Sequence, residues 1–163
     1  MVTSPAVINH FRGEYGFLSN FSAAKVVYEG EEYPTVEHAF QAAKVDVDEM
    51  REIYYPGHGT GLQRWREVIR RAPTPGRAKQ LGREAPLRTG WETNKVHVMR
   101  ELLWQKFAPG RIHLDLLLNT GDASLIEGNT WGDTYWGVCD GKGLNMLGQL
   151  LMDVRAARRR MPA

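Results

Sequence analysis

The sequence contains very little cysteine and no long hydrophobic run. Cys139 is the only cysteine among 163 residues, which excludes an internal disulfide and a cysteine-rich metal site. The longest apolar run is far shorter than the roughly 20 residues that cross a bilayer. The N-terminal residues 1–11 also lack the basic stretch and apolar core of a secretory signal. We therefore expect a cytoplasmic protein without membrane association, since a single thiol suits a reducing compartment.

The sequence also lacks a strong excess of charge of one sign. Lysine and arginine number 21 against 19 aspartates and glutamates, a net charge of +2, so the surface as a whole does not favour nucleic acid. Basic residues nevertheless concentrate in residues 64–88 and 155–160. These are either solvated helix faces and a frayed terminus, or a basic rim that contacts nucleic acid or a phosphorylated substrate.

Hydrophobic periodicity predicts a mostly helical chain with a few short strands. The length allows one core, so we expect a single domain over residues 1–163. Strands are predicted at residues 6–11 and 123–128, together with a hairpin around Glu29-Gly30. Helices are predicted at residues 35–44, 46–55, 61–71, 75–84, 91–107, 112–121 and 144–158.

The stretch from Pro34 to Lys44 predicts a helix that carries a row of polar side chains. Thr35 can cap its N-terminus, and the following residues contain neither glycine nor proline. Glu37, Gln41 and Lys44 fall at i, i+4 and i+7, which places a carboxylate, an amide and an amine on one face. This row suits ligand binding. The alternative is that Glu37 complements the helix dipole while Lys44 is solvated.

Three further segments combine rings with polar groups. Residues 11–21 interleave four aromatic side chains with Arg12 and Asn20, which suits stacking a flat ring while a guanidinium holds a phosphate. The alternative there is a surface loop anchored by its aromatic residues. Trp91 and Lys95 lie one turn apart at the start of a long helix, where the apolar stripe requires neither.

The third of these segments is rich in glycine and precedes the last helix. Residues 129–143 contain four glycines, two tryptophans and Asp133. Glycine lets a backbone approach a ligand, and the amides that begin the following helix favour an anion. Glu127, just before this segment, is either structural or directed into a site, and the pattern does not separate the two.

Four dispersed segments together resemble the NADAR family of YbiA-like proteins, which are associated with NAD and ADP-ribose. They are FRGEYGFLSNF, YPTVEHAFQAAK, WETNKVHVMRELLWQKF and GDTYWGVCDGKGLNMLGQLLMDVR, and they cover nearly the whole chain in the family's order. The resemblance implies an α+β fold, a mostly helical single domain with a small antiparallel sheet. That implication agrees with the pattern of predicted helices and strands.

The resemblance also implies an N-glycosidase or ADP-ribosyl hydrolase that acts on a ribose joined to nitrogen. The implied substrates are a ribosylamine intermediate of riboflavin synthesis or ADP-ribosylated guanine in nucleic acid. A module that binds ADP-ribose or NAD without turnover is the alternative. No grouping of histidine, aspartate, glutamate and cysteine has metal-ligand spacing, so neither a metal nor a cofactor is expected.

Positions that match the family motifs supply most of the candidate site residues, and Arg12 joins them as a phosphate ligand. The catalytic candidates are Glu37, Lys44 and Asp133. The substrate-binding candidates are Arg12, Asn20, Phe21, His38, Gln41, Trp91, Lys95, Trp136, Gly137 and Asn145.

Each catalytic candidate has an expected role in cleaving a bond between ribose and nitrogen. Glu37 is the first choice for proton transfer, and Asp133 is the second. Lys44 either forms a Schiff base with the ribose or binds phosphate or ribose. The Schiff base requires a lowered pKa, for which Lys95 or Arg12 is the expected neighbouring cation. His38 points about 100° away from Glu37, which favours a buried hydrogen-bonding residue over a catalyst.

Overall fold

A computed structural model describes residues 6–161 of the chain. In chain order, the elements are β1 (Val7–Ile8), a 3-10 helix (Gly13–Leu18), β2 (Val26–Tyr28), β3 (Glu31–Tyr33), α1 (Val36–Ala43), β4 (Met50–Tyr55), β5 (Gly59–Arg64), α2 (Trp65–Arg70), α3 (Pro75–Glu84), α4 (Trp91–Lys106), α5 (Ile112–Asn119), β6 (Ser124–Leu125), β7 (Gly128–Asn129), β8 (Val138–Cys139) and α6 (Met146–Arg160). The α+β class is confirmed. Residues 1–5, part of the stretch in which no secretory signal is predicted, lie outside the described residues.

The chain divides into two compact units. The first, the middle unit, comprises residues 23–102, and the second, the terminal unit, comprises residues 6–22 together with 103–161. Helix α4 contributes residues to both. The expectation of one domain over residues 1–163 stays a prediction.

The middle unit begins with the hairpin that the sequence predicts. Strands β2 and β3 pair antiparallel, with Tyr28 opposite Glu31. Both turn residues have positive φ, 47° for Glu29 and 84° for Gly30. A two-residue turn of this kind matches the natural twist of the two strands, which explains why the short Glu-Gly loop closes the hairpin.

The helix predicted over residues 46–55 is wrong, because these residues enter a second hairpin. Strands β4 and β5 pair antiparallel from Met50 opposite Arg64 to Tyr55 opposite Gly59. The turn contains Gly57 and Gly59 at φ of 82° and 81°, a backbone conformation that glycine adopts without strain. The isoleucine and tyrosines of β4 also favour an extended strand. Consequently Leu62, expected on a helix, lies on β5 and is 67% exposed.

Helix α1 forms the centre of the middle unit. It packs against α2, α3 and the β2–β3 hairpin, and all eight of its residues are buried. The predicted cap is confirmed, since Thr35 Oγ1 accepts a hydrogen bond from the backbone N–H of His38 at 3.2 Å. A helix enclosed on every side must satisfy its polar side chains inside the protein.

The terminal unit contains two short parallel ladders and the last helices. Strand β1 pairs with β6 and β7 pairs with β8, and α6 packs against α5 and β6. The predicted strands at 6–11 and 123–128 are therefore confirmed as two-residue strands. Residues 13–18, expected to be a loop, form the 3-10 helix. No helix within residues 6–161 is long and apolar enough to cross a bilayer.

Removing the Thr35 hydroxyl tests how strongly α1 depends on its cap. We expect Thr35→Val to lower the free energy of unfolding by about 2 to 3 kcal/mol, because it leaves buried groups of His38 without their partner. Thr74→Val is the matched control, since Thr74 caps α3 through the N–H of Arg77 at an exposed site. Its expected cost is about 1 kcal/mol. Urea unfolding of both variants measures the difference, and equal costs would contradict the role of His38.

Candidate active-site residues in each unit

Glu37 and Gln41 form a buried polar pair on α1. Gln41 Nε2 donates a 2.6 Å hydrogen bond to Glu37 Oε1, and the two residues are only 6% and 3% exposed. The pair has the i, i+4 spacing on which the predicted row depends. A carboxylate removed from bulk water interacts more strongly with nearby charges than a surface carboxylate does. Glu37 therefore does more than complement the helix dipole from the first turn of α1, since its carboxylate is buried and hydrogen-bonded.

Gly82 on α3 makes room for the Gln41 side chain. A Cβ atom at Gly82 would lie 2.0 Å from Gln41 Oε1 and 2.9 Å from its Cδ. The close approach of α3 to α1 thus restricts where the amide of Gln41 can lie. The sequence analysis missed Gly82, although a glycine inside an otherwise good helix-forming stretch was the available signal.

Lys44 ends α1 and is only partly exposed to solvent. Its Nζ atom lies 5.7 Å from the centroid of the Phe40 ring. Burial is the main cause that lowers the pKa of Lys44 below its ordinary value, and the nearby carboxylate of Glu37 partly opposes this effect. The amine is therefore neutral more often than that of a solvated lysine.

The cations that lower the pKa of Lys44 further differ from those predicted. Lys79 and Arg83, both on α3, lower it further. Lys95, one of the two expected cations, forms an ion pair with Glu92. The prediction failed because it used residues from the family motifs, whereas the packing of α3 on α1 decides which charges approach Lys44.

Trp91 is a core residue of the middle unit. It is 4% exposed, and its ring centroid lies 5.1 Å from that of Phe40, with the ring planes tilted by 58°. Packing between Trp91 and Phe40 places the start of α4 against α1. Substrate stacking by Trp91 and ligand binding by Lys95 stay predictions.

His38 links α1 to the end of α2. Its Nδ1 lies 2.8 Å from Thr35 Oγ1, and its Nε2 lies 3.1 Å from the carbonyl oxygen of Ala72. Because only a protonated Nε2 can donate to a carbonyl, the neutral ring carries its proton there. Burial lowers the pKa of His38, while the Ala72 hydrogen bond opposes this. These contacts give His38 a structural role, and its proposed contact with substrate stays a prediction.

Asp133 organises a loop of the terminal unit. Its Oδ1 accepts hydrogen bonds from the backbone N–H groups of Tyr135 and Trp136, at 3.1 and 2.9 Å. Asn129 holds the Asp133 backbone on both sides, through its Oδ1 at 3.0 Å and its Nδ2 at 2.7 Å. One carboxylate oxygen of Asp133 thus shapes the turn that carries Trp136. A catalytic role for Asp133 and substrate contact by Trp136 stay predictions.

Gly137 and Asn145 pack around the backbone near Glu127. A Cβ atom at Gly137 would lie 2.2 Å from the carbonyl oxygen of Glu127, so only glycine fits without a shift. Asn145 Oδ1 accepts from the N–H of Glu127 at 3.0 Å, and its Nδ2 donates to the carbonyl of Leu125 at 2.9 Å. Both positions therefore hold this loop together, and their contact with substrate stays a prediction.

The N-terminus of α6 is engaged by the same loop. The N–H groups of Met146 and Leu147 donate to the carbonyls of Tyr135 and Trp136, at 3.1 and 3.0 Å. These two amides were expected to favour an anion, but loop carbonyls already accept their hydrogen bonds.

A cavity of about 390 Å³ lies within the terminal unit. It brings the predicted residues Arg12 and Phe21 together with Glu127 and Trp131. Its lining consists of Phe11, Arg12, Gly16, Ser19, Phe21, Ser22, Glu127, Gly128 and Trp131. Asn20 lies between two lining residues in the chain and is 8% exposed. Of the two alternatives left open for Glu127, the structure supports a position on a cavity wall.

Lys106 is a buried charge that the sequence analysis missed. It is fully buried, and its Nζ donates to the carbonyl oxygen of Ser19 at 2.7 Å and to Ser22 Oγ at 2.6 Å. Burial lowers the pKa of Lys106 to about 7, and the charge of Glu127 opposes this effect. The available signal was the position of Lys106 within the apolar stripe of α4, beside Leu102, Leu103 and Phe107.

Several arginines of the basic stretches are paired with acidic residues. Arg66 and Arg88 both contact Glu29, and Arg159 pairs with Asp122. Arg66 is 8% exposed and also donates to the carbonyl of Val45, so it is a buried structural residue and not part of a solvated face. Nucleic-acid contact by the basic stretches stays a prediction. Within residues 6–161, no cluster of three or more histidine, cysteine, aspartate or glutamate side chains could hold a metal ion.

Adding a methyl group at Gly82 tests the packing behind Gln41. Because the new Cβ would overlap the Gln41 amide, we expect Gly82→Ala to lower the free energy of unfolding by about 1 to 3 kcal/mol. Gln80→Ala, at an exposed position of the same helix, is the matched control and should be nearly neutral. In a Gln41→Ala background, which lacks the overlapping amide, Gly82→Ala should cost less stability than it does in the wild-type protein. Thermal or urea unfolding measures all of these variants, and a Gly82→Ala variant as stable as the control would contradict the contact.

Comparison with known proteins identifies a family. The NADAR domain model matches residues 8–159. An N-glycosidase named YbiA from Escherichia coli (strain K12) is 40% identical over 159 residues, which cover 94% of this chain and 89% of that protein. An N-glycosidase of Nostoc punctiforme is 36% identical over 150 residues, covering 90% of this chain and 88% of that protein.

A longer relative and a solved structure agree with this match. The riboflavin biosynthesis protein PYRR, chloroplastic, of Zea mays is 33% identical over 157 residues, covering 87% of this chain but 23% of that protein. The NMR structure of the E. coli protein YbiA aligns with a TM-score of 0.75 and 35% identity, covering 99% of this chain and 92% of that chain. The shared sequence features and fold establish that this chain belongs to the NADAR family.

Proposed function

We propose that this chain is an N-glycosidase that hydrolyses the bond between a ribose and the nitrogen of a base. The observation that carries the proposal is the buried row on α1, where the Glu37 carboxylate, hydrogen-bonded to Gln41, lies near an amine of lowered pKa. Two relatives that this chain matches over nearly their whole length are named N-glycosidases. A buried carboxylate near a nucleophilic amine is an arrangement that supports cleavage through exchange at a C=N bond.

Lys44 is the proposed nucleophile. An N-ribosyl compound in its ring-opened form has a C=N bond at C1. The neutral Lys44 amine adds to C1, and the base nitrogen accepts a proton and leaves with the electrons of its bond to C1. A C1=N bond to Lys44 then remains. Water adds to C1, the bond to Lys44 breaks, and the ribose leaves as an aldehyde while the lysine is regenerated.

Glu37 is the proposed proton carrier for these steps. Addition of the Lys44 amine creates a proton in excess on nitrogen, and departure of the base consumes one. A carboxylate near Lys44 can accept the first and deliver the second, and later it can take a proton from the attacking water. The Gln41 hydrogen bond keeps one oxygen of Glu37 in place, so Gln41 is proposed to orient rather than to react.

The substrate that we favour is a phosphoribosylated amino heterocycle of the kind found in riboflavin synthesis, since one relative is named a riboflavin biosynthesis protein. ADP-ribosylated guanine in nucleic acid contains the same bond between ribose and nitrogen, and an assay of both substrates decides between them. A cytoplasmic location, inferred from the single cysteine, is part of the proposal.

Borohydride trapping tests the nucleophile. With a ribosylamine phosphate as substrate, reduction should leave a stable adduct on Lys44, which mass spectrometry of peptides locates. Lys44→Ala should give no adduct and lose at least about 100-fold in kcat, since a covalent step is removed. Lys25→Ala, a lysine at an exposed ion pair of the same unit, is the control.

The same assay distinguishes an enzyme from a binding module. Glu37→Gln should bind substrate but lose turnover, because the amide cannot carry a proton. Full activity in Lys44→Ala, without any adduct in the wild-type protein, would exclude the covalent route. Unchanged turnover in Glu37→Gln would exclude the proposed base.

The pH dependence of turnover tests the cause of the lowered Lys44 pKa. Since Lys44 reacts as the neutral amine, kcat should rise with pH and level off above its folded-state pKa, which lies below the ordinary value for lysine. Lys79→Met removes a cation that lowers this pKa, so the rising limb should move to higher pH by a few tenths of a unit. Lys25→Met should leave the profile unchanged, and an identical profile for Lys79→Met would contradict the assignment.

A further inference from the structure

The cavity of the terminal unit combines ring surfaces with a carboxylate. Its volume of about 390 Å³ lies in the usual range for small-molecule sites. Among its lining residues, Phe11 is 6% exposed, whereas Phe21 and Trp131 are 42% and 58% exposed. Aromatic side chains that are exposed around a cavity offer flat apolar surfaces on which a planar ring can stack. Trp131 is one of the two tryptophans of the glycine-rich segment at residues 129–143, and the proposed reaction does not use it.

The carboxylate of Glu127 gives the cavity an acceptor of defined position. The N–H of Glu127 donates to Asn145 Oδ1 at 3.0 Å, and its carbonyl accepts from the N–H of Val138 at 2.9 Å. The backbone from which the side chain projects is therefore held on both sides. An ionised carboxylate only accepts hydrogen bonds, and since Glu127 Oε2 is buried, Oε1 is the oxygen that can accept from the N–H groups on one edge of a heterocycle.

Lys106 supports the wall of this cavity that Ser19 and Ser22 form. Its Nζ donates to the carbonyl of Ser19 and to Ser22 Oγ, and both serines line the cavity. Its charge also acts on Glu127 across the same region. Because Lys106 is fully buried, it has no direct route to a ligand and acts through the residues that it holds. Those residues flank Phe21, which lies in the chain between Ser19 and Ser22.

We propose that the cavity binds a planar nitrogen heterocycle with adjacent N–H groups, which stacks on Phe21 and Trp131 and donates hydrogen bonds to Glu127. Lys106 is the positioning residue for this site. Neither Glu127, Trp131 nor Lys106 belongs to the predicted site. The proposal rests on the proposed function only for the class of ligand, since an N-glycosidase of this kind releases a nitrogen heterocycle.

Binding of two closely matched nucleotides tests the proposal without turnover. Guanosine monophosphate has two adjacent N–H donor groups on one ring edge, and inosine monophosphate lacks the exocyclic amino group. Titrations followed by calorimetry use the full-length Lys44→Ala protein, in which the proposed nucleophile is absent. We expect the guanine nucleotide to bind about 10-fold more tightly, which is the effect of one good hydrogen bond to a charged group.

Variants of the cavity residues show which side chains cause the difference in affinity between the two nucleotides. Glu127→Gln should abolish most of the discrimination between the two nucleotides, whereas Glu14→Gln, at an exposed position of the same unit, should preserve it. Trp131→Ala should weaken the binding of both nucleotides to the same extent. Leu144→Ala, at a similarly exposed apolar position, should leave the binding of both unchanged. Equal binding of the two nucleotides, or discrimination that survives Glu127→Gln, would overturn the proposal.

Two variants test the positioning role of Lys106. Lys106→Met removes the charge and both hydrogen bonds of Lys106. Ser22→Ala keeps the charge and the bond to Ser19, but removes the bond from Lys106 to Ser22 Oγ together with the bonds from that hydroxyl to the carbonyls of Ser19 and Phe17. Both should reduce the discrimination ratio while Lys106→Arg restores part of it, an effect that a loss of stability alone would not produce. A ratio unchanged in Ser22→Ala and in folded Lys106→Met protein would reject the role. The Lys44 adduct is measured separately, so failure of this site and failure of the reaction are distinguishable.

Discussion

The buried hydrogen bond from Gln41 to Glu37 is the constraint on which the middle unit depends. All eight residues of α1 are enclosed, so its polar side chains cannot rely on water. Gln41 satisfies one oxygen of Glu37, while His38 bonds to Thr35 and to the Ala72 carbonyl. Gly82 lets α3 approach closely enough to enclose this pair. The stability of the helix and the orientation of its carboxylate therefore depend on the same contacts.

The same enclosure changes the chemistry of Lys44 at the end of the helix. Removing an amine from water disfavours its charged form, and cations on α3 disfavour it further, while Glu37 acts in the opposite direction. A neutral amine beside a carboxylate is useful for attack on a C=N bond, whereas a solvated lysine is not. Packing of α3 on α1 thus links the core of the unit to its proposed reactivity.

The residues at family-motif positions have different roles in the structure. Asp133, Gly137 and Asn145 hold a loop around Glu127 through backbone contacts. Trp91 packs in a core rather than at a surface. The family motifs therefore include residues that maintain the fold beside those for which chemistry is proposed. In the terminal unit, the contacts that maintain the fold also position Glu127. The sequence alone left open whether this residue is structural or directed into a site.

The sequence by itself determined the features that depend on neighbours in the chain: the Thr35 cap, the Glu29-Gly30 hairpin, the i, i+4 spacing of Glu37 and Gln41, and membership of the family. Pairing and packing between segments decided the rest. Residues 46–55 resembled a helix locally, yet residues 50–55 form strand β4, which pairs with β5. Local pattern left a signal for Gly82 and for Lys106, a glycine inside a helix and a lysine in an apolar stripe, but not the contacts that they make. Those contacts and the cations near Lys44 follow from how helices pack, because burial and electrostatic environment are properties of segments brought together by folding.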